Sequence, residues 1–201
     1  PAPPDVVRAM ALRLANALAS GTTVARPVIA ERLVDALNDD RLPAVRVRGS
    51  IGQSDLAAMA DLADGFLGDL ELVQGEAIAL LNPSSFSTGW GALAVHDAVG
   101  LLDALDVAGA LDLEGLGANR TLLDPAIAAV RPYPGVRATL ERLDGLLAGG
   151  EGVPRALQDP LSFRTLPQMN GAARDAFRFV QEQLAIELNA AKQRSLLAML
   201  L

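Results

Sequence analysis

Ala173-Arg-Asp-Ala-Phe-Arg-Phe-Val-Gln-Glu-Gln-Leu-Ala-Ile-Glu-Leu188 places Phe177, Val180, Leu184 and Leu188 on one stripe, with Ala173 and Ala176 beside it. Apolar residues recurring at three and four share one face of a helix, whereas a half-buried strand alternates with period two. The spacing predicts a helix from about Gln168 to the end of the sequence. Thirty or so helical residues span ~45 Å, more than one small domain needs. The sequence then closes on Ser195-Leu-Leu-Ala-Met-Leu-Leu201, a run that would be an exposed apolar patch at a free end. Either more chain follows or other subunits cover it, and both favour a bundle of long helices shared between subunits.

The rest of the chain reads the same way. Ala and Leu dominate, and both are strong helix formers, while β-branched runs are short. Asp5 opens a helix carrying Val6, Val7, Met10, Leu14 and Leu18, closed at Ser20-Gly21. Further helices are expected from Arg26-Pro27, from Ser54-Asp55 to Gly65, over Leu72–Leu81, Thr88–Leu105 and Val136–Leu147. Arg41 to Gly52 reads as a loop, and Pro125, Pro132 and Pro134 break their stretch into short pieces. The expected fold is all-α, residues 1–201 forming a single helical domain.

Composition removes several chemistries. There is no Cys among 201 residues, which excludes disulfides, Cys-ligated zinc and thiol catalysis. His96 is the only His, so a multi-His metal site is excluded as well. Net charge is −7 and no basic stripe stands out, arguing against a nucleic-acid partner. No apolar run reaches ~18 residues, so no membrane helix is expected. Pro1 to Asp5 carries no basic residue, unlike a signal peptide, and a cytoplasmic location is expected.

Three stretches carry a family likeness. Gly49-Ser-Ile-Gly-Gln-Ser-Asp-Leu-Ala-Ala-Met-Ala60 resembles the Gly-Ser-x-Gly-Ala-Ser-Gly-Asp-Leu-Ala-Pro-Leu-Ala of the aromatic amino acid ammonia-lyases and their aminomutase relatives. Gly75-Glu-Ala-Ile-Ala-Leu-Leu-Asn82, followed by Ser85-Phe-Ser-Thr88, resembles that family's Glu-Gly-Leu-Ala-Leu-x-Asn-Gly-Thr region. Gln158-Asp-Pro-Leu-Ser-Phe-Arg164 with Pro167-Gln168 and Gly171 resembles Gln-Asp-x-Tyr-Ser-x-Arg and Pro-Gln-x-x-Gly. Asp124-Pro125, Arg131-Pro-Tyr-Pro-Gly135 and Glu187-Leu-Asn189 follow in the family's order. The likeness implies the long-helix bundle of the ammonia-lyase (fumarase/aspartase-like) fold. It covers only the middle of a family chain, without the family's catalytic Tyr loop or its C-terminal half. The stretch between Gly68 and Glu76 is shorter than the family's equivalent. A fragment and a reduced relative both fit that description.

The likeness also implies a chemistry, and shows where this sequence departs from it. Family members cyclise an Ala-Ser-Gly triad: the Gly amide nitrogen attacks the Ala carbonyl, and dehydration leaves a methylidene-imidazolone (MIO) electrophile. Gly suits so tight a turn because it has no side chain to obstruct it. The aligned residues here are Gln53, Ser54 and Asp55. An Asp crowds the attacking amide and charges its surroundings, so MIO is not expected to form and no other cofactor is implied. Ser54 as a helix cap with Asp55 in the first turn is the alternative.

Substrate-binding candidates carried over by motif are Asn82, Gln158, Arg164, Gln168 and Glu187. Asn82 could equally be a helix C-cap before Pro83. Arg164 matches the family's carboxylate-gripping Arg, a task suited to a planar fork, or else forms a structural ion pair with an acid such as Asp159. Gln158 matches an active-site Gln, a buried satisfied amide being the alternative. Leu161 stands where the family has Tyr. Lys192-Gln193-Arg194-Ser195 replaces the family's Thr-Asp-Asn-Pro. His96 reads as a core or surface His and Trp90 as packing. The expectation is a MIO-lacking relative that keeps a pocket for an aromatic amino acid or aryl carboxylic acid. An active ammonia-lyase or aminomutase, a MIO-independent lyase, isomerase or cyclase, and a structural subunit are the alternatives. A homo-oligomer, a tetramer in this family, or a hetero-oligomer with a complementary chain would follow.

Overall fold

The computed structural model describes residues 1–150 and 152–190, and the described residues are helices joined by loops, without a strand. The apolar tail from Ser195 to Leu201 and the Lys192–Ser195 segment lie outside the described residues. The helices are α1 (Pro4–Ala19), α2 (Pro27–Asn38), α3 (Leu56–Leu67), α4 (Glu76–Leu81), α5 (Ser85–Leu116), α6 (Pro125–Val130), α7 (Pro134–Leu146), α8 (Leu161–Arg164) and α9 (Leu166–Asn189). A 3₁₀ turn, Arg120–Leu123, precedes α6. Helices α1, α2, α6 and α7 each begin with Pro, whose fixed φ suits the first turn and whose missing N–H would be unpaired there anyway.

The chain forms two compact units. Unit 1 holds residues up to Ala94 and those from Glu182 on; unit 2 holds Val95–Gln181. Unit 1 is built on an apolar core in which Met10, Leu14, Ile29, Leu33, Met59, Leu62 and Leu80 are removed from water. Each such side chain contributes ~1.5–3 kcal/mol relative to exposure. Buried Glu76, the first residue of α4, joins α4 to the start of α2. Its carboxylate accepts from Arg26 Nε, Nη2 and N and from Val73 N, each at 2.9 Å. The Arg26 guanidinium holds Glu76 down at about 2, against the cost of burial. This grip and the left-handed Gly75 (φ 94°) explain why α4 starts at Glu76 and not at Leu72, as the apolar pattern suggested.

Unit 2 packs Leu113, Leu122, Leu123, Val136, Leu140 and Leu143 together. Helix α5 runs on to Leu116, beyond the Leu105 end expected from sequence. Asp106, within the added length, is fully buried. It pairs with Arg174, with Arg142 at 3.4 Å, and with Asn170 Nδ2 at 2.8 Å. A carboxylate is tolerated in such a place only when paired and hydrogen-bonded. Arg174 also bonds Asp103 at 2.8 Å and holds that carboxyl below its ordinary range.

The Arg131–Gly135 and Pro167–Gly171 motifs meet in unit 2. A Cβ at Gly135 would collide with the Gly171 carbonyl, and one at Gly171 would stand 2.6 Å from Val136 N. Helix α7 therefore starts almost in backbone contact with α9. Asp175, one turn along α9, accepts the Gly135 N–H at 2.7 Å and caps α7.

Candidate functional site

The Gln53-Ser54-Asp55 segment forms the turn that leads into α3. Ser54 has φ 57°, in the left-handed region that costs an L-residue ~1–2 kcal/mol. Its hydroxyl donates to the Asn82 carbonyl at 2.7 Å, with the Pro83 carbonyl at 3.4 Å. The fold thus brings a triad-position residue and Asn82 together, through the backbone at the end of α4. Ser54 is not the cap of α3. The capping position is Asp55, which makes no side-chain bond there, and the first-turn Ala57 N–H goes to Ser50 Oγ at 3.3 Å.

Asp55 serves a different helix. Its Oδ2 accepts from Ser87 N and from Ser87 Oγ, both at 2.9 Å, in the first turn of α5. The free N–H groups and positive end of a helix favour a carboxylate there. Asn82 is the C-cap residue of α4, its N–H bonded to Ile78 O. Gln53 is exposed in the turn.

Glu187 belongs to the same unit, exposed near the end of α9. Its charge acts on Arg13 of α1, whose guanidinium is shifted down by burial and partly restored by Glu187. Arg13 Nη2 donates to Ala190 O at 2.7 Å and Asn16 Nδ2 to Leu188 O at 2.9 Å, so α1 ties down the end of α9.

The remaining candidates lie in unit 2. Gln158 and Arg164 line one cavity of about 270 Å³ with Asn119, Thr121 and Asp159. Asp159 is buried and accepts the Asn119 N–H at 2.8 Å. It forms no ion pair with Arg164, which has none among the described residues. The structural pairing weighed for Arg164 is therefore absent, and its guanidinium remains available at the cavity. Leu161, in the family's Tyr position, is exposed at the start of α8. Gln168 is half-buried on α9, its Oε1 enclosed without a hydrogen-bond donor among the described residues.

Nothing in the sequence pointed to Asn119, which bonds Asp159 at the Arg164 cavity, or to Ser87 as the group that Asp55 holds. No local pattern marks such contacts, since the pairs are separated by 40 and 32 positions. Trp90 is partly exposed and packs edge-on to Phe86, ring centroids 5.4 Å apart. His96 is exposed on α5. Among the described residues no group of three or more acids or His could hold a metal, and no helix is long and apolar enough to cross a membrane.

A sequence model of aromatic amino acid lyases matches residues 1–77 and 66–197. The two matches meet at the segment that is short relative to the family. Histidine ammonia-lyase of Clostridium tetani is 34% identical over 214 residues, covering 92% of this chain and 42% of the relative. The Deinococcus radiodurans histidine ammonia-lyase is 35% identical over 217 residues, covering 93% and 41%. Among solved structures, histidine ammonia-lyase from Trypanosoma cruzi superposes with a TM-score of 0.82 at 29% identity, covering 95% of this chain and 40% of that one. Tyrosine aminomutase from Streptomyces globisporus gives 0.80 at 27% identity, covering 92% and 44%. The chain spans about two-fifths of the length of the curated relatives it matches.

Proposed function

From the premise that this chain belongs to the aromatic amino acid lyase family, we propose that it is a diverged, ammonia-lyase-like protein of the cytoplasm. In this reading it forms no MIO and keeps a pocket for an aromatic amino acid or aryl carboxylic acid. The observation that carries the reading is Asp55. Cyclisation would need its backbone nitrogen to swing onto the Gln53 carbonyl, while its side chain is fixed to the first turn of α5. A Gly in that place would carry no such tether. The exposed Leu161 adds to this, since it cannot supply a phenolic hydroxyl. Groups that transfer protons typically contribute ~10²–10⁴-fold, and the electrophile is the centre of the family's chemistry.

Ligand binding is assigned to Gln158 and Arg164, whose unpaired guanidinium suits a bidentate grip on a carboxylate. Thermal denaturation with aromatic amino acids and cinnamate-like acids tests this. A ligand at a hundred times its Kd stabilises by ~2.7 kcal/mol, which raises Tm by about 5–10 °C in a chain of this size. Arg164→Ala should abolish the rise. A wild-type Tm indifferent to every such ligand would refute the pocket.

A second reading, a structural subunit of a homo- or hetero-oligomer, is favoured by one face of α9. Met169, Ala172, Ala176 and Phe179, all in unit 2, follow one another at spacings of three and four, and all are exposed. That is the period of a seam between long helices. Light scattering after size exclusion tests it: Phe179→Asp should lower the assembled mass, and an unchanged assembly would reject this face as the contact.

A further inference from the structure

A cavity of about 410 Å³ in unit 1 is separate from the Gln158–Arg164 pocket. Its walls include Val47, Ser50, Asp55, Phe86, Ser87 and Trp90. The volume falls within the ~300–1,000 Å³ typical of small-molecule sites. No Lys, Arg or His lines it, and Asp55 is its one charged residue.

Both Ser87 bonds fall on Oδ2 of Asp55, leaving Oδ1 without a donor among the described residues. The end of a helix offsets roughly half an elementary charge, so the carboxylate keeps a net negative field. Trp90 follows Ser87 by three residues, or about 4.5 Å along the helix axis. The indole therefore stands one turn beyond the carboxylate on the same cavity. Phe86 braces it edge-on, the rings inclined by 76°. A carboxylate and an indole lining one cavity suit one ligand chemistry, an organic cation, which can gain an ion pair and a cation–π contact together. The hydroxyls of Ser50 and Ser87 can accept from an ammonium N–H.

We propose that this cavity binds an aryl- or alkyl-ammonium ion, held by the Asp55 carboxylate and the Trp90 indole. The site does not depend on the Arg164 pocket.

Trp90 is the only Trp in the sequence, so intrinsic fluorescence reports on the cavity directly. The intact chain is titrated with phenethylamine, with benzyltrimethylammonium, and with hydrocinnamate as an anion of similar shape. Both cations should change the emission saturably, with apparent affinity falling as salt rises, and hydrocinnamate should not. Asp55→Asn can still accept from Ser87 through its amide oxygen, so the helix cap survives while the charge goes. It should weaken cation binding by about tenfold or more, the loss expected for a charged hydrogen bond. Val47→Lys, which puts a fixed ammonium at the rim, should weaken it too and serves if Asp55→Asn does not fold. Arg164→Ala should leave the titration unchanged, which separates this result from that of the carboxylate pocket. Absence of saturable change with either cation, equal binding of hydrocinnamate, or undiminished affinity in a folded Asp55→Asn would each overturn the proposal.

Discussion

Replacing Gly171 by Ala isolates the close approach that joins two of the family-like motifs. The new methyl would lie 2.6 Å from Val136 N and 2.7 Å from Val136 Cα, where non-bonded heavy atoms settle at ~3.5–4.0 Å. Both neighbours are backbone, so no side chain can rotate away; α9 must back off from α7 by about an ångström. Overpacking of this kind costs ~1–3 kcal/mol. The retreat also lengthens the 2.7 Å bond from Gly135 N to Asp175, a cap worth ~1 kcal/mol. Against this, Ala gains ~1 kcal/mol over Gly within a helix. The net is a loss of about 2 kcal/mol, which lowers Tm by about 4–8 °C. Gly100 on α5 is the control, because a Cβ there meets nothing within 4 Å. Gly100→Ala should raise Tm by about 2–4 °C. Thermal unfolding followed by circular dichroism reads both variants. A Gly171→Ala protein as stable as wild type would refute the claim that this Gly is kept for helix–helix contact.

Other tests address the charged groups. Glu76 sits at about 2 in the folded chain and near 4.5 when free, so its pairing stabilises fully above the unfolded value. That contribution drains away as pH falls from about 4.5 to about 2; Tm measured against pH should drop across this window, and Glu76→Gln should flatten the drop while lowering Tm at neutral pH. Asp55→Ala removes the cap of α5 and should cost ~0.5–2 kcal/mol in urea unfolding, whereas Asp55→Asn should cost only tenths. Asp106→Leu removes the buried acid and leaves Arg174 and Arg142 without it, so it should destabilise by ~3–5 kcal/mol; a neutral outcome would show that these Arg side chains reach water unaided.

Much of the fold is legible in the sequence because it is written locally. Pro27 marks a helix start, Asp5 and Val136 fall within two residues of two others, and apolar spacing carries α1, α2, α3 and α7. The half-buried stripe Ala173, Phe177, Leu184 and Leu188 is the one the pattern indicated, although Val180 beside it is exposed. What was not legible depends on distant partners. Helix α5 outruns its expected end because Arg174, 68 positions away, neutralises Asp106. The Asp55 carboxylate caps α5 and not the adjacent α3, which no spacing rule would reveal. At the site, Gln158 and Arg164 line one cavity, and Ser54 meets Asn82 through a carbonyl. The alternative pairing of Arg164 with Asp159 is not formed, and Asp159 accepts the Asn119 N–H.

In a protein without MIO, Gln53, Ser54 and Asp55 remain an ordinary stretch of peptide. Intact mass of the purified chain, with tandem mass spectrometry of the proteolytic peptide spanning these residues, tests it most directly. The expected result is the unmodified mass and an uninterrupted fragment series through Ser54 and Asp55. A peptide lighter by two waters, both lost between Gln53 and Asp55, would mean that the ring forms despite the aspartate, and would contradict it.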